Sequence, residues 1–362
     1  MNKVFPSCFI CLTLHLFSFA QSASKVDKEY VFRTAALVQK KVTLSPKTHL
    51  QYNFPNLEKI EVIDARSDSS CIGFKTRSSE KKNDQIKFTL GLKNEFEKFF
   101  NLVGRFNLDA KAYSVTLVVR DFWLNQFEVD ADEKDKTLDN RIGSYEASKT
   151  TLRATFDIFL RKDNEYFVGY RFDTIATAFL DMKEFTDEYL PPVVQSSLAK
   201  LESIDPDTHI ANKRKFTRDQ LEEYYLRRWD KPILKGSEFQ RGVYKNFSEF
   251  LNNRPTITQF VVKKDKLTDI IYITDDGGQS RAVRDVWGYC DGKNFFIKSG
   301  ENYFMLVKVQ NGFYFLGSKE LLNTQDEYHH YDNGMDFPTY SAPYLKNRLV
   351  PMRVDMEKGT AY

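Results

Sequence analysis

Hydrophobic and polar residues alternate with a period of two along several stretches of the first half of this chain. Leu57–Asp64 is the clearest, with Ile60 and Val62 facing one way and Glu61 and Ile63 the other. Side chains of a strand point to opposite faces in turn, so this pattern predicts half-buried strands. Tyr113–Leu124 is the strongest strand segment, and Leu152–Leu160 pairs with Tyr166–Ile175 across a polar turn at 161–165. Val31–Leu44 reads as a weaker first strand and Ser70–Phe74 as a short return strand. Two stretches break this period. Leu92, Phe96, Phe99, Phe100 and Val103 recur at helical spacing, which predicts an amphipathic helix over Leu90–Leu102 ended by Gly104. Pro191–Leu201 starts with proline where a helix tolerates it and predicts a second helix.

Beyond Gly236 the segments shorten and turn signals recur every few residues. Phe260–Lys263, Asp269–Thr274, Phe295–Lys298, Tyr303–Val309 and Phe313–Leu316 read as strands, with one more at Leu349–Met356. Asp291-Gly292 and Asn311-Gly312 supply hairpin turns. The fold class that follows is α+β: an N-terminal sheet covered by two helices, then a mainly antiparallel β-meander. The boundaries are residues 1–20 as an export signal and 21–202 as an α+β domain. A linker at 203–235 holds a short polar helix, Arg218–Arg228, and 236–362 is a mainly β domain. Asp130–Lys149 reads as a long polar connection.

The first twenty residues change the picture. Lys3 precedes the apolar run Phe9–Phe17, and Ser18 and Ala20 put small residues where a signal peptidase reads. That is the layout of an export signal, too short to span a membrane. The expected location is the periplasm or the outer-membrane surface, or the medium. No later stretch is long and apolar enough for a transmembrane helix, so none is expected in the mature chain. Lys3 is one of 53 basic side chains, against 50 acidic. The near balance gives no electrostatic footprint for nucleic acid.

Candidate chemistry is sparse. Trp287, Tyr289 and Asp291 form the most distinctive local string, and its aromatics would make a ligand shelf for sugar or peptide. A core tryptophan followed by a turn explains the same residues. Asp326, His329 and Asp336 lie in the densest run of metal-ligand residue types, although adjacent His329 and His330 would diverge on a strand, which favours a polar loop. Asp64, Arg66 and Asp68 gather at a strand end, where an Asp–Arg pair organising the turn is the favoured reading. Cys71 and Cys290 remain after export. An oxidising compartment permits a disulfide between them, whereas their separation between the two proposed domains favours two thiols. No catalytic residue and no cofactor is assigned, because no nucleophile elbow, phosphate-binding glycine loop or zinc-binding helix motif occurs.

Gly242–Pro255 and Val286–Ile297 resemble an uncharacterised family of exported Bacteroidetes proteins, over roughly Gly236 to Gly317. That resemblance implies export and brings no activity with it. More loosely, Ile60–Arg66, Ile72-Gly73 and the helix and strands after them resemble envelope assembly and transporter-auxiliary lipoproteins, without their lipobox cysteine. The expected function is a non-enzymatic binding or assembly role in the cell envelope, with an envelope protein or a glycan as partner. The alternative is a secreted hydrolase or glycan-binding module.

Overall fold

The structure is a computed structural model and describes residues 38–45, 51–77, 82–107, 113–128, 148–211, 213–265, 268–274, 278–318 and 349–362. Residues 1–20 and the predicted metal set, Asp326, His329 and Asp336, lie outside the described residues. The fold is mixed and strand-rich, as an α+β class requires.

The first half of the chain supplies β1 (Val38–Val42), β2 (Tyr52–Phe54), β3 (Leu57–Asp64), β4 (Gly73–Arg77), β5 (Lys82–Phe88), β6 (Gly104–Phe106), β7 (Tyr113–Glu128), β8 (Ser148–Lys162) and β9 (Glu165–Ala178). The two-residue β10 (Lys215–Phe216) follows later. Eight of them form one sheet in the order β1-β5-β4-β7-β8-β9-β10, with β3 also paired to β7; β2 and β6 pair separately. The strand predictions at Leu57–Asp64 and in the β7–β9 meander correspond to real strands, and β7 to β9 run longer than their cleanest alternation. Asp163 and Asn164 take positive φ in the β8–β9 turn, a conformation these two residue types tolerate well.

The segment expected to return after β3 does not return. β3 and β4 both run parallel to β7 and lie end to end along its one flank, Leu57–Asp64 against Tyr113–Val119 and Gly73–Lys75 against Leu124–Gln126. β7, at 16 residues, is long enough to template both. The chain leaves the sheet between them and is tied at each end, by Ala65 N–H to Val119 O (2.9 Å) and Leu124 N–H to Ile72 O (2.7 Å). The true return strand is β5, antiparallel to β4.

Helix α1 (Leu92–Val103) buries the predicted apolar stripe against one sheet face. Phe96 meets Phe122 and Phe156 edge-on, with centroids 5.4 and 5.9 Å apart. Glu95, 1% exposed, lies within the same stripe because its carboxylate accepts the Leu90 and Leu44 N–H groups. The second helical run starts earlier than Pro191. Asp181 caps Met182–Glu184 by accepting the Glu184 N–H (2.9 Å), and a π turn over Phe185–Tyr189 leads into Leu190–Ser196. Pro191 and Pro192 cannot donate to a helical ladder, and the turn preceding them is the one that opens.

The second half supplies β11 (Gly242–Tyr244), β12 (Phe260–Asp265), β13 (Thr268–Thr274), β14 (Ser280–Val283), β15 (Gly288–Cys290), β16 (Phe295–Ser299), β17 (Asn302–Val309), β18 (Gly312–Ser318) and β19 (Leu349–Arg353). They form a six-stranded sheet, β11-β15-β16-β17-β18-β19, and a three-stranded one, β12-β13-β14, with every pairing antiparallel. Gly292 provides the positive φ expected at its turn, whereas in the β17–β18 turn it is Gln310 rather than Gly312 that does so.

The large sheet and the six-stranded sheet meet on the face opposite α1. Trp123 of β7 stacks on Tyr314 of β18 (5.8 Å), and Phe74 of β4 stands edge-on to both. The Arg218–Arg227 helix, closed at its start by a Thr217–Gln220 capping box, packs Leu221 and Tyr225 on Val118, Phe159 and Tyr166 of the same face. Among the described residues, no helix is long and apolar enough to cross a membrane.

Candidate functional site

A one-residue irregularity in β7 lies at a strongly polar site. Pairing with β8 shifts between Val119 and Asp121, so Val119 faces Phe156 and Asp121 faces Thr155 with Arg120 in excess. A bulge of this kind turns two successive side chains to one face. Val115, Leu117 and Val119 point to the α1 core, as do Phe122 and Leu124, whereas Arg120 and Asp121 both meet groups on the opposite face.

Two ion networks grow from that pair. Arg120 bonds both oxygens of Glu357 (2.6 and 2.9 Å) and Asp157 Oδ2 (3.3 Å). Arg171 donates to Asp157 Oδ1 (2.7 Å), the Tyr225 hydroxyl to Asp157 Oδ2 (2.6 Å), and Arg228 Nε to Glu357 Oε1 (2.6 Å). Asp121 takes Arg353 Nη1 (3.2 Å) and the Tyr362 hydroxyl (2.8 Å), while Arg353 Nη2 donates to Ser67 Oγ (2.7 Å). Arg353 is 3% exposed and lies over the Trp123 ring (5.2 Å). Burial opposes its charge, and the Tyr362 and Tyr314 oxygens with Asp121 and Asp68 more than offset that, so it stays charged.

These networks wall a cleft of about 380 Å³ between the β8–β9 face, the Arg228-Trp229 corner and the Asp355–Lys358 turn. Its walls carry six cationic residues, Arg120, Arg153, Arg171, Arg228, Arg353 and Lys358, and four acidic ones, Asp121, Asp173, Asp355 and Glu357, with Asp157 beneath. The half-buried Arg153 places its guanidinium 4.5 Å from the Tyr362 ring, and that side chain has no hydrogen bond or ion pair with any described residue. Arg120 Nε, Arg228 Nη1 and Arg353 Nε are also buried without a hydrogen-bond partner among those residues.

The two carboxylates that share Arg120 respond differently. For Asp157, burial outweighs its Tyr225 and Arg120 partners, and the carboxyl is pushed up. For Glu357, burial acts in the same direction but Arg228 and Arg120 outweigh it, and the carboxyl is held below its usual 4.5. A depressed carboxylate favours the fold above its unfolded value and loses that contribution as pH falls through the folded one. Glu357→Gln is therefore expected to destabilise the protein most at neutral pH. The gap to wild type in urea midpoints should narrow steadily as pH is lowered below 4.5. A gap independent of pH would show that the charge of Glu357 does not hold this corner.

The sequence-derived candidates lie elsewhere. Trp287 packs on Phe250 (4.3 Å) and donates its indole N–H to Gly359 O (3.1 Å). Tyr289 stacks on Phe296 in a different apolar cluster and donates to Asp269 (2.8 Å). Asp291 accepts the Lys293 and Asn294 N–H groups of its own turn. The structure does not gather the three into a shelf, because each is engaged with a separate set of neighbours.

Cys71 and Cys290 are both free and buried, two separate thiols rather than a disulfide. Cys71 belongs to the Trp123–Tyr314 junction and Cys290 to the core of the six-stranded sheet, where burial pushes its thiol up to about 11. Arg66 forks onto Asp64 (2.8 Å twice) and donates to Cys71 O (2.7 Å), while Asp68 accepts the Tyr314 hydroxyl and the Ser70 N–H. These three residues organise the loop between β3 and β4, as the turn reading expected. Among the described residues, no group of three or more His, Cys, Asp or Glu side chains is placed to hold a metal.

Sequence reasoning missed the cleft. Its local signal is Arg120-Asp121, two charged residues in succession inside an otherwise apolar strand. No protein-family model matches this chain, and neither a curated protein nor a solved structure matches it at a significant level.

Proposed function

We propose that this protein is an exported, non-enzymatic binding protein of the cell envelope, and that it holds an anionic group in the Arg153 cleft. The hydrophobic leader supports the exported part of this reading. The observation that carries the binding part is Arg153 itself. Its guanidinium is fixed against the Tyr362 ring, while Arg120, Arg171, Arg228 and Arg353 around it are all tied to carboxylates. Those pairs hold the walls in place and leave one forked cation preorganised for an incoming carboxylate or phosphate. Cation–π contact with Tyr362 limits the motion that binding would otherwise have to arrest. The glycan-shelf alternative draws no support from Trp287 and Tyr289, whose rings are packed in separate clusters.

Calorimetric titration of the purified chain with inorganic phosphate and with succinate tests this. Saturable binding of at least one is expected at low ionic strength. Arg153→Ala should weaken it by about tenfold or more, the worth of a charge-assisted hydrogen bond. The thermal midpoint should fall only slightly, since the Arg153 side chain has no hydrogen bond or ion pair among the described residues and loses only its contact with the Tyr362 ring. Absence of binding by the native chain, or equal binding by the variant, would refute the assignment.

A further inference from the structure

We propose that the anionic group arrives on an extended acidic segment of a partner protein, which adds as a strand to the outer edge of β9. This rests on the anion-binding reading of the cleft and names its occupant.

The edge is open. β10 pairs only with Tyr166 and Phe167 of β9, and the His209 ring approaches Val168 O (3.3 Å). Among the described residues, no strand pairs with the outer side of Gly169–Ala178. A strand edge of that length presents unmet backbone donors and acceptors, and proteins ordinarily blunt such edges with lysine, proline or a cover. Gly169–Ala178 contains neither lysine nor proline, its two charged residues, Arg171 and Asp173, both line the cleft, and it carries Thr174, Ile175 and Thr177, which suit strand pairing. The one irregularity in its pairing, opposite Ile158 and Phe159, falls where the open stretch begins and leaves the rest regular.

The edge also borders the cleft. Along β9, Tyr170, Phe172 and Ala176 pack against the α1-side core, while Arg171, Asp173 and Ile175 line the cleft. Ile175, at 52% exposed, is an apolar residue at the lip with a free surface. A strand laid outside β9 would place alternate side chains on the cleft side, next to Arg171 and Ile175. Backbone pairing supplies affinity in such a mode, and the neighbouring surface selects the side chains. Here the selection is by charge. The cationic groups on the walls outnumber the acidic ones, Arg153 has no carboxylate, and Arg171 is half exposed at the rim. The chemistry therefore fits a β-forming segment with acidic residues at alternate positions and a β-branched residue to cover Ile175.

The full chain would be titrated with three fluorescent peptides of one length: alternating Glu and Val, the same with Gln for Glu, and the Glu–Val peptide N-methylated at alternate residues. Hydrogen exchange would be followed with each peptide and with inorganic phosphate. The Glu–Val peptide should bind at least about tenfold tighter than either control. It should slow exchange over Gly169–Ala178, and phosphate should not. Arg153→Ala should weaken both phosphate and the Glu–Val peptide. If phosphate binds but the N-methylated peptide equals its parent, or exchange at β9 is unchanged, strand addition is overturned while the anion site stands. If the Gln peptide binds as well as the Glu peptide, charge selection is overturned. If neither phosphate nor the acidic peptide binds, both readings fall together.

Discussion

Arg353→Met is expected to cost about 3–5 kcal/mol of folding stability, the usual result of removing one partner from a buried ion pair. Methionine fills much of the space but offers nothing to Asp121, Ser67 Oγ or the electron-rich face of Trp123, all of which Arg353 now satisfies. Asp121 would be left against the Tyr362 hydroxyl alone. The guanidinium also joins β19 of the six-stranded sheet to β7 and to the loop between β3 and β4. Its loss should loosen the junction and not only the strand that carries it. Guanidinium chloride melts of wild type, Arg353→Met and the double variant Arg353→Met/Asp121→Asn would measure this. The double variant should recover part of the loss, because the stranded carboxylate is then gone. A single-variant loss below about 1 kcal/mol would mean that aromatic packing at Trp123 and Tyr314 holds the junction without the ion pair.

Most of the strands and α1 were legible because each depends on a local period. Ile60 and Val62 alternate with polar neighbours, and Leu92, Phe96, Phe99 and Val103 recur at helical spacing. Neither pattern requires knowledge of what covers the apolar side. The cleft is different in kind. Asp121 meets Arg353 and Tyr362 across 232 and 241 positions of chain, and no local period reports which faces meet. Only one of its features had a local trace, the adjacent charges Arg120 and Asp121, where the alternation of β7 slips by one residue. The Trp287–Asp291 string follows the reading of a core tryptophan followed by a turn. Unusual local composition there reflects a crowded aromatic core and a side-chain-capped turn, both of which require large aromatics and an aspartate for packing reasons. The segment after β3 departs from the expected return because a turn at a strand end usually reverses the chain, whereas here the neighbouring strand is long enough to accept two successive partners.

That end-to-end arrangement makes Gly73 the position where a single methyl group should do most damage. Gly73 has φ of 152°, and a Cβ built on it would sit 1.7 Å from Leu124 O and 2.6 Å from Leu124 C. The obstructing atoms belong to the β7 backbone, so no rotamer change can make room. Alanine at 73 would have to push β4 off β7, with loss of the pairings at Leu124, Asn125 and Gln126. It would also draw Phe74 away from Trp123 and Tyr314. Gly73→Ala is expected to cost about 4 kcal/mol or more, the range reached when strain and core disruption combine. Gly91→Ala is the control. Gly91 too has positive φ, 79° with ψ 157°, but a Cβ there meets nothing within 4 Å, so only backbone strain of about 1–3 kcal/mol is expected. Urea midpoints of the two variants separate close approach from conformational strain. If they are equal, β4 can shift to admit a side chain, and the tight seating of β4 on β7 is not what positions Phe74 at the junction. If Gly73→Ala is far the worse, the glycine is what lets β3 and β4 share one strand, and the loop between them, with Arg66, Ser67 and Asp68, owes its place beside the cleft to that sharing.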